Sequence, residues 1–293
     1  MMLRRKMEAV IQKASVLVEA LPYIRKFEGK TVVIKYGGSA MTDPRIRKST
    51  AEDVVLMKYV GMNPIVVHGG GPAINAMLKR LAIESKFHQG RRVTDDAAIE
   101  VVEMILAGSV NKDIVTLLNQ AGGQAVGLSG KDANLLHARK IEFEDGADIG
   151  HVGQIVNVHA RILNVICAAG MIPVVAPLAT DVSGGTWNIN ADTAAGEVAA
   201  ALQAEKLVFL TDTPGVLRDK DDPETLIHHL RHGEVAQLTR EGIIAGGMIP
   251  KVDACIKALD YGVSRTHIID GRVPHALLLE IFTDKGVGTL VTL

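Results

Sequence analysis

Apolar residues recur at intervals of three and four between positions 5 and 26, which predicts an amphipathic helix at the start of the chain. Pro22 lies inside this pattern and predicts a kink or break near Leu21, because proline cannot donate a helical hydrogen bond. The helix precedes the first predicted strand and has no place inside a βαβ unit. Its apolar face is therefore expected to pack either on the chain's own core or on another subunit.

Beyond position 30, short apolar runs alternate with helix-length segments. This alternation predicts an α/β fold, a three-layer α-β-α sandwich whose central sheet is mainly parallel. The predicted strands are residues 31–36, 64–67, 124–128, 172–176, 206–211 and 266–269, with a β-hairpin region at 135–158. The predicted helices are a segment after the glycines at 69–71 and residues 43–60, 95–107, 110–120, 160–169, 234–241 and 251–261.

Composition narrows the classes of function. The 293 residues are 47% hydrophobic, which allows a substantial core, and only 3% aromatic, which argues against a stacking platform for single-stranded nucleic acid. A net charge of −1 provides no broad basic surface for DNA or RNA. No segment has the pattern of a membrane span or a secretory signal, and the two cysteines lack metal-ligand spacing. We therefore expect a cytoplasmic protein without a nucleic-acid or membrane partner.

Two glycine-rich turns follow predicted strands. Lys35 ends the run "VVIK" and precedes Gly37 and Gly38. Later, "VVHGGGP" places the glycines at 69–71 before Pro72, and proline is favoured at a helix start. Glycines let backbone N–H groups approach an anion, and the first turn of a helix favours negative charge. Each turn alone is compatible with an ordinary strand–helix connection, but together they indicate a ligand rich in phosphate.

Further polar residues suit such a ligand. Arg92, in "RRVTD", can grip a carboxylate with two hydrogen bonds or belong to a solvated basic pair. The amides of Asn188 and Asn190, in "NINAD", point the same way if that run is extended, and amides suit an amide-bearing ligand. Asp192 is expected to start a helix, where its alternative role is that of the N-cap.

The second half of the chain contributes one lysine and one aspartate to the candidate ligand-binding residues. Lys251 follows Pro250 near a helix start, where the helix dipole disfavours a cation, so an anionic ligand is a reason for its presence. Asp212 ends a buried strand in "LTDTPGV" and can serve a nucleotide ribose, a neighbouring lysine or the order of the loop. The histidines of "IHHLRHG" have no acidic or cysteine partner at a suitable spacing, so no metal site is predicted there.

In their order and approximate spacing, these motifs resemble those of the amino acid kinase family over nearly the whole chain. The matching segments are "IKYGG", "VVHGGGP", "RVT", "VGLSGKD", "IGHVG", "NINAD", "LTDTPGVL" and "GGMIPKV". The resemblance implies transfer of the γ-phosphoryl group of ATP to the side-chain carboxylate of N-acetyl-L-glutamate, the second step of the acetylated route to arginine. ATP would act with Mg²⁺ as co-substrate, and no tightly bound metal is implied.

The resemblance also assigns roles to individual positions. Lys35 and Lys251 would neutralise the migrating phosphoryl group, and Asp192 would orient both lysines. The implied substrate-binding residues are Gly70, Gly71, Arg92, Asn188 and Asn190, and the implied nucleotide-binding residues are Gly37, Gly38 and Asp212. The chemistry agrees, because a carboxylate acceptor with a reference pKa of about 4.3 is already ionised at neutral pH and needs no general base. What it needs is positive charge on the phosphoryl group.

Both ends of the chain resemble the arginine-inhibited, hexameric branch of the family. The implied organisation is an N-terminal helix for oligomerisation and regulation (1–28), a lobe for the amino-acid substrate and dimerisation (29–186), and a lobe for ATP and arginine (187–293). A homohexamer built as a trimer of dimers is expected, with L-arginine as inhibitor. A PII-type regulator binds some members, and nothing in this sequence indicates one. The implied arginine-site residues are Tyr23, Lys206, His267, Glu280 and Gly286.

Two other interpretations stay open at the level of sequence. A related kinase could act on another acid, such as aspartate, glutamate or an aminoadipate derivative. Alternatively, the chain could be a catalytically silent arginine sensor. The presence of both Lys35 and Lys251 argues against the second interpretation, because a sensor needs no cationic pair for a phosphoryl group.

Overall fold

The computed structural model describes residues 2–283 and 286–293 as an α/β structure around an eight-stranded sheet. The strands are β1 Thr31–Tyr36, β2 Asn63–His68, β3 Phe87–His88, β4 Arg91–Arg92, β5 Ala125–Ser129, β6 Leu136–Lys140, β7 Gly153–Val158, β8 Ile172–Ala176, β9 Leu178–Thr180, β10 Thr186–Asn188, β11 Lys206–Thr211, β12 His229–Arg231, β13 Arg265–Asp270 and β14 Thr289–Thr292. The α-helices are α1 Met2–Phe27, α2 Pro44–Tyr59, α3 Gly71–Arg80, α4 Asp96–Glu103, α5 Asn111–Gln120, α6 Arg161–Ala168, α7 Ala191–Ala201, α8 His232–Arg240, α9 Ile249–Asp260 and α10 Ala276–Ile281.

The central sheet has the strand order β12-β14-β13-β11-β1-β2-β8-β5. Its neighbouring strands pair in parallel except β13 and β14, which are antiparallel. Apolar side chains fill both faces: Val32 and Ile34 belong to one buried cluster, and Val33 belongs to the other. Successive side chains of a strand point to opposite faces of the sheet, so this alternation is expected of a strand that is buried on both faces. The predicted fold class, a mainly parallel sheet between helical layers, is confirmed.

The described residues also form two smaller sheets. β10, β9, β6 and β7 form a four-stranded sheet, and the antiparallel pair β6–β7 is the predicted hairpin at 135–158. β3 and β4 pair as a separate two-stranded hairpin that the sequence pattern did not reveal. The helices predicted at 95–107 and 110–120 are joined by a π-helical segment, Met104–Val110, rather than by a turn.

Of the kink or break predicted near Leu21, a break is excluded, because α1 continues through Pro22 to Phe27. Proline removes only one hydrogen-bond donor from the helix. Tertiary contacts of the last turns of α1 compensate for the missing hydrogen bond. Phe27 is buried, and the ring of Tyr23 meets the ring of Phe282 edge-on at 6.4 Å between centroids. In the described residues, 2–283 and 286–293, every helix is too short or too polar to cross a lipid bilayer.

Candidate active site

Three adjacent strands bring their carboxyl ends to one edge of the central sheet. β1 lies between β11 and β2 and pairs in parallel with both, with Lys35 opposite Phe209 on one side and Val67 on the other. The turns that follow these strands therefore meet at that edge, where parallel α/β sheets bind ligands. They carry Gly37 and Gly38 after β1, the glycines at 69–71 after β2, and Asp212 after β11.

A buried carboxylate joins the two lysines that the sequence singled out. The Nζ of Lys35 lies 3.0 Å from one oxygen of Asp192, and the Nζ of Lys251 donates to the other oxygen at 2.9 Å. Residues distant in the chain thus converge on one point, and both lysines line the same pocket. The side chains of Lys35 and Lys251 are 11% and 18% exposed, against 6% for Asp192, so the ammonium groups face the pocket while the carboxylate lies behind them.

The environment of Asp192 favours its ionised form. Burial disfavours the charge, but the adjacent Lys35 and Lys251 outweigh burial and hold the pKa of Asp192 below its ordinary value. The expectation that Asp192 caps its helix is wrong, since Asn190 is the N-cap of α7 and its Oδ1 accepts from the backbone N–H groups of Asp192 and Thr193 at 3.0 Å each. Asp192 is thereby free to serve the lysines from the first turn.

Close packing explains two of the glycines near these lysines. A Cβ on Gly37 would lie 2.6 Å from the Nζ of Lys35. Gly38 has φ +66°, and a Cβ there would overlap the carboxylate of Asp212. Both positions therefore need glycine, which leaves the backbone after β1 open to a ligand.

The glycine turn after β2 starts helix α3 without a side-chain cap. A Cβ on Gly70 would lie 2.5 Å from Leu106, which belongs to the π-helical segment, whereas Gly71 faces open space. The free backbone N–H groups of this helix start point to an anion site of the kind expected from the sequence. Both glycines line a pocket of about 160 Å³ together with Arg92, Asn188 and Asn190.

Arg92 is held in that pocket by two residues that the sequence did not single out. Its Nη2 donates to Oδ1 of Asn75 at 2.7 Å, and its Nη1 donates to Oγ of Ser85. The side chain is buried, and the guanidinium stacks near the ring of Phe87 at 4.8 Å. A buried guanidinium held only by neutral partners is suited to receive the carboxylate of a ligand.

Asn188 is positioned by Thr94, which is fully buried and was also missed from the sequence. The Nδ2 of Asn188 donates to Oγ1 of Thr94 at 3.1 Å, and this hydroxyl donates to the carbonyl of Arg92 at 2.9 Å. The backbone of His151, in "IGHVG", bridges the same two residues: its N–H donates to the carbonyl of Thr94, and its carbonyl accepts from the N–H of Asn188. The motifs "RVT", "IGHVG" and "NINAD" therefore form one hydrogen-bonded unit.

The pocket that contains both lysines measures about 670 Å³. Asp212 also lines it, and its role toward a nucleotide stays a prediction. The loops after β11 and before α9 form its walls, with Arg218 and Lys220 among the charged residues. Both lysines thus line the larger pocket of mixed charge, and the small pocket of amide and guanidinium character includes Asn190 and Ala191, which directly precede Asp192.

His68 is a structural residue and does not face either lysine. Its Nδ1 donates to the carbonyl of Gly69 at 2.8 Å, and its Nε2 accepts from Nδ2 of Asn111 at 3.1 Å. Burial lowers the pKa of His68 to about 4, so the ring is neutral at pH 7.

The model of the amino acid kinase family matches residues 30–270, which is most of the chain. This chain belongs to the amino acid kinase family. The family predicted from the ordered motifs is therefore confirmed. Giardia lamblia carbamate kinase bound to AMP-PNP shares the fold, with a TM-score of 0.63 at 17% identity over 90% of this chain and 98% of that one.

This amino acid kinase has similar relatives over its whole length. It is 56% identical to an acetylglutamate kinase from Heliobacterium modesticaldum over 96% of this chain and 98% of the relative. It is also 56% identical to an acetylglutamate kinase from Thermoanaerobacter pseudethanolicus over 99% and 97%. The structure of Neisseria gonorrhoeae N-acetylglutamate synthase, complexed with coenzyme A and N-acetyl-glutamate, matches with a TM-score of 0.84 at 30% identity, over 96% of this chain and 63% of the synthase. The kinase chain thus spans less than two thirds of that protein.

A second buried cluster lies where α1 ends in this amino acid kinase. Oε1 of Glu280 lies 2.7 Å from Nδ1 of His267 and 3.4 Å from Nζ of Lys206, and Oε2 lies so near Gly286 that a Cβ there would be 2.9 Å away. Burial raises the pKa of Glu280, but His267 and Lys206 outweigh it, so the net shift is downward. The Nε2 of His267 is buried without a hydrogen-bond partner in the described part of the chain.

The N-terminal helix contacts this cluster through aromatic rings. The Nζ of Lys206 lies 5.3 Å from the ring centroid of Phe27, and Tyr23 packs on Phe282, two residues after Glu280. The five residues expected at an arginine site, Tyr23, Lys206, His267, Glu280 and Gly286, are therefore neighbours in the structure. Their role remains a prediction.

Proposed function

We propose that this protein is an acetylglutamate kinase, which transfers the γ-phosphoryl group of ATP to the side-chain carboxylate of N-acetyl-L-glutamate. A carboxylate oxygen forms the new bond to the γ-phosphorus, and the bond between that phosphorus and the β,γ-bridging oxygen breaks. The bonding electrons leave with ADP, and the product is an acyl phosphate. The convergence of Lys35 and Lys251 on opposite oxygens of Asp192, at the wall of one pocket, carries this proposal.

The two ammonium groups supply what this reaction requires. Negative charge spreads over the phosphoryl oxygens during transfer, and fixed cations in a partly buried site stabilise it without reorganisation. Asp192 holds both ammonium groups in position. They in turn keep the pKa of Asp192 below its ordinary value, so the carboxylate stays ionised. The backbone N–H groups near Gly37, Gly38 and Gly71 are available to the phosphate chain. Mg²⁺ would enter with ATP as co-substrate and would offset part of the negative charge of the phosphates.

The small pocket suits the acceptor. Arg92 would bind its α-carboxylate, and Asn188 and Asn190 would bind the acetylamino group. Because the Oδ1 of Asn190 is committed to the helix cap, a ligand would meet its Nδ2. The names of the similar kinases and the N-acetyl-glutamate bound to the related synthase support this assignment of the substrate.

The test is an acyl-phosphate trapping assay with hydroxylamine. We expect hydroxamate to form with ATP and N-acetyl-L-glutamate, and much more slowly with aspartate, glutamate or N-acetyl-aminoadipate. A product only from one of the other acids would replace the proposed substrate, and no product from any of them would support the silent-sensor alternative.

Asn188→Ala is expected to raise the KM for N-acetyl-L-glutamate about 5- to 30-fold, because one or two hydrogen bonds to the acetylamino group are lost at roughly 1–2 kcal/mol in total. The KM for ATP should change less than about threefold, because Asn188 lines only the smaller pocket. Steady-state kinetics in both substrates measure the effect. Asn157→Ala, an exposed asparagine bonded to His159, is the control. Equal losses for both substrates would contradict the assignment.

We further propose that L-arginine inhibits this cytoplasmic enzyme of arginine biosynthesis through the Glu280 cluster, and that α1 joins three dimers into a hexamer. Glu280 would bind the guanidinium of arginine, and the buried Nε2 of His267 offers a further polar contact. Exposed apolar residues along α1, among them Leu17 at 74%, support a subunit contact.

The lobes proposed at 29–186 and 187–293 share the central sheet, since β1 pairs with both β2 and β11.

Deleting residues 1–26 is expected to abolish arginine inhibition and hexamer formation while kcat stays within about threefold of the parent. The deletion removes Tyr23 and most of α1 but leaves Lys35, Asp192 and Lys251 intact. Hydroxamate assays over an arginine titration, with light scattering for mass, measure both effects. A truncated enzyme that arginine still inhibits fully would refute the regulatory proposal and leave the proposed reaction untouched.

A further inference from the structure

A third cleft lies between the β3–β4 hairpin and helix α9, next to the two pockets of the active site. It has a volume of about 810 Å³ and is lined by Arg91 from β4 and by Asp253 from α9. The two side chains carry opposite charges and attract each other across the gap. Asp253 is exposed and Arg91 is partly buried. Burial disfavours the charged form of both, since it lowers the pKa of Arg91 and raises that of Asp253, and their mutual attraction opposes each shift.

Within the described part of the chain, the cleft contains three further charged residues. Lys257 and Glu197, which also line it, already form an ion pair between α9 and α7. Glu142 lines the wall formed by the loop after β6 and is exposed. The charge that acts on Arg91 across the cleft is that of Asp253, and Arg91 acts on Asp253 in return.

Each member of this pair is a close neighbour of a residue in the proposed reaction. Arg91 directly precedes Arg92 on β4, and side chains alternate along a strand, so Arg92 turns to Asn75 while Arg91 turns the other way. Asp253 follows Lys251 by two residues near the start of α9. A movement that brings Arg91 to Asp253 therefore also brings the acceptor held by Arg92 toward the ammonium group of Lys251.

The segments that carry the pair begin at glycine turns that can absorb such a movement. Gly90 precedes β4 with φ +76°, and Gly246 precedes α9 with φ +53°. A Cβ on either glycine, or on Gly247, would meet no atom within 4 Å, so neighbouring side chains do not confine these turns. Hinges of this kind are commonly found at the ends of elements.

We propose that Arg91 and Asp253 form an ion pair when the hairpin and α9 approach each other, and that this pair positions Lys251 on the phosphoryl group. The inference rests on the proposed phosphoryl transfer and adds two positioning residues to it. Neither residue touches the reacting atoms. Their effect is on the geometry of the closed state, where a misplacement of about 1 Å can cost 100-fold in rate.

Charge exchange tests the pair in the hydroxamate assay. Arg91→Asp and Asp253→Arg should each lower kcat about tenfold, with the KM for N-acetyl-L-glutamate changed less than about threefold, and the double variant should recover most of kcat. Glu142→Gln is the matched control and should leave kcat unchanged. A double variant no faster than the slower single variant would overturn the proposal. So would a raised KM at unchanged kcat, which would make Arg91 a residue that binds substrate directly.

A cross-linking experiment needs no turnover and separates this inference from the proposed reaction. In the Arg91→Cys/Asp253→Cys double variant, disulfide formation under mild oxidation should be at least about fivefold faster with AMP-PNP and N-acetyl-L-glutamate than without them. The native cysteines, Cys167 and Cys255, are buried and should remain reduced. A rate that the ligands leave unchanged overturns the pair, whereas a parent enzyme that forms no hydroxamate overturns the reaction.

Discussion

Lys251→Ala is expected to lower kcat for hydroxamate formation about 100- to 1,000-fold, because one of the two fixed cations on the phosphoryl group is lost. The loss should fall mainly on kcat, since the charge on the phosphoryl oxygens is stabilised most in the transition state. Stability should change little, because Asp192 keeps its ion pair with Lys35 at 3.0 Å. Steady-state kinetics at saturating ATP and N-acetyl-L-glutamate, together with a melting curve, measure both quantities.

Helix α9 itself supplies the matched control for this prediction. Lys257 lies two turns further along the helix and pairs with Glu197 at the mouth of the neighbouring cleft, away from Asp192. Lys257→Ala removes the same charge from the same helix and should leave kcat within about threefold of the parent, because Lys257 lines the neighbouring cleft and contacts Glu197 rather than Asp192. If Lys251→Ala behaves like this control, the ammonium group of Lys251 does not act on the phosphoryl group.

The chemistry at the carboxyl ends of strands could be predicted from local patterns. Lys35 with its glycines, and the glycines before α3, are visible because strand, turn and helix start are adjacent in the chain. The meeting of Lys35 and Lys251 could not be predicted in that way, because it depends on the pairing of β1 with β11 and on the packing of α9 against α7. Only the resemblance to a family connected these distant positions.

The supporting residues of the site were missed for a related reason. Asn75, Ser85 and Thr94 are short polar residues whose partners come from other elements, and nothing in their own surroundings distinguishes them from ordinary loop or helix residues. Short elements such as β12 and α10 were missed because register with neighbours, rather than periodicity, stabilises them. The helix cap was assigned to Asp192 instead of Asn190 since both residues are good caps and only the backbone geometry decides.

Asp192→Asn is expected to lower both the stability and the activity of the protein. The amide cannot neutralise Lys35 and Lys251, so two largely buried ammonium groups lose their shared counter-charge, and breaking a buried charge pair on one side typically costs about 3–5 kcal/mol. Urea denaturation should show a free energy of unfolding lower by roughly 3 kcal/mol, since both lysines retain some exposure to solvent. The kcat should fall at least about 100-fold because the lysines are no longer oriented.

Nucleotide binding distinguishes the electrostatic role of Asp192 from a merely structural one. In the Asp192→Asn variant the uncompensated ammonium groups of Lys35 and Lys251 are available to the phosphates, so AMP-PNP should raise the melting temperature more in the variant than in the parent. Glu197→Gln, on the same helix α7, disrupts only the outer pair with Lys257 and should cost less than about 1 kcal/mol, with an unchanged response to the nucleotide. The opposite result is a smaller increase in melting temperature with AMP-PNP in Asp192→Asn than in the parent. Loss of the carboxylate charge would then have disrupted the site instead of exposing two cations to the ligand. That result would show that Asp192 does not hold the lysines for the phosphate chain.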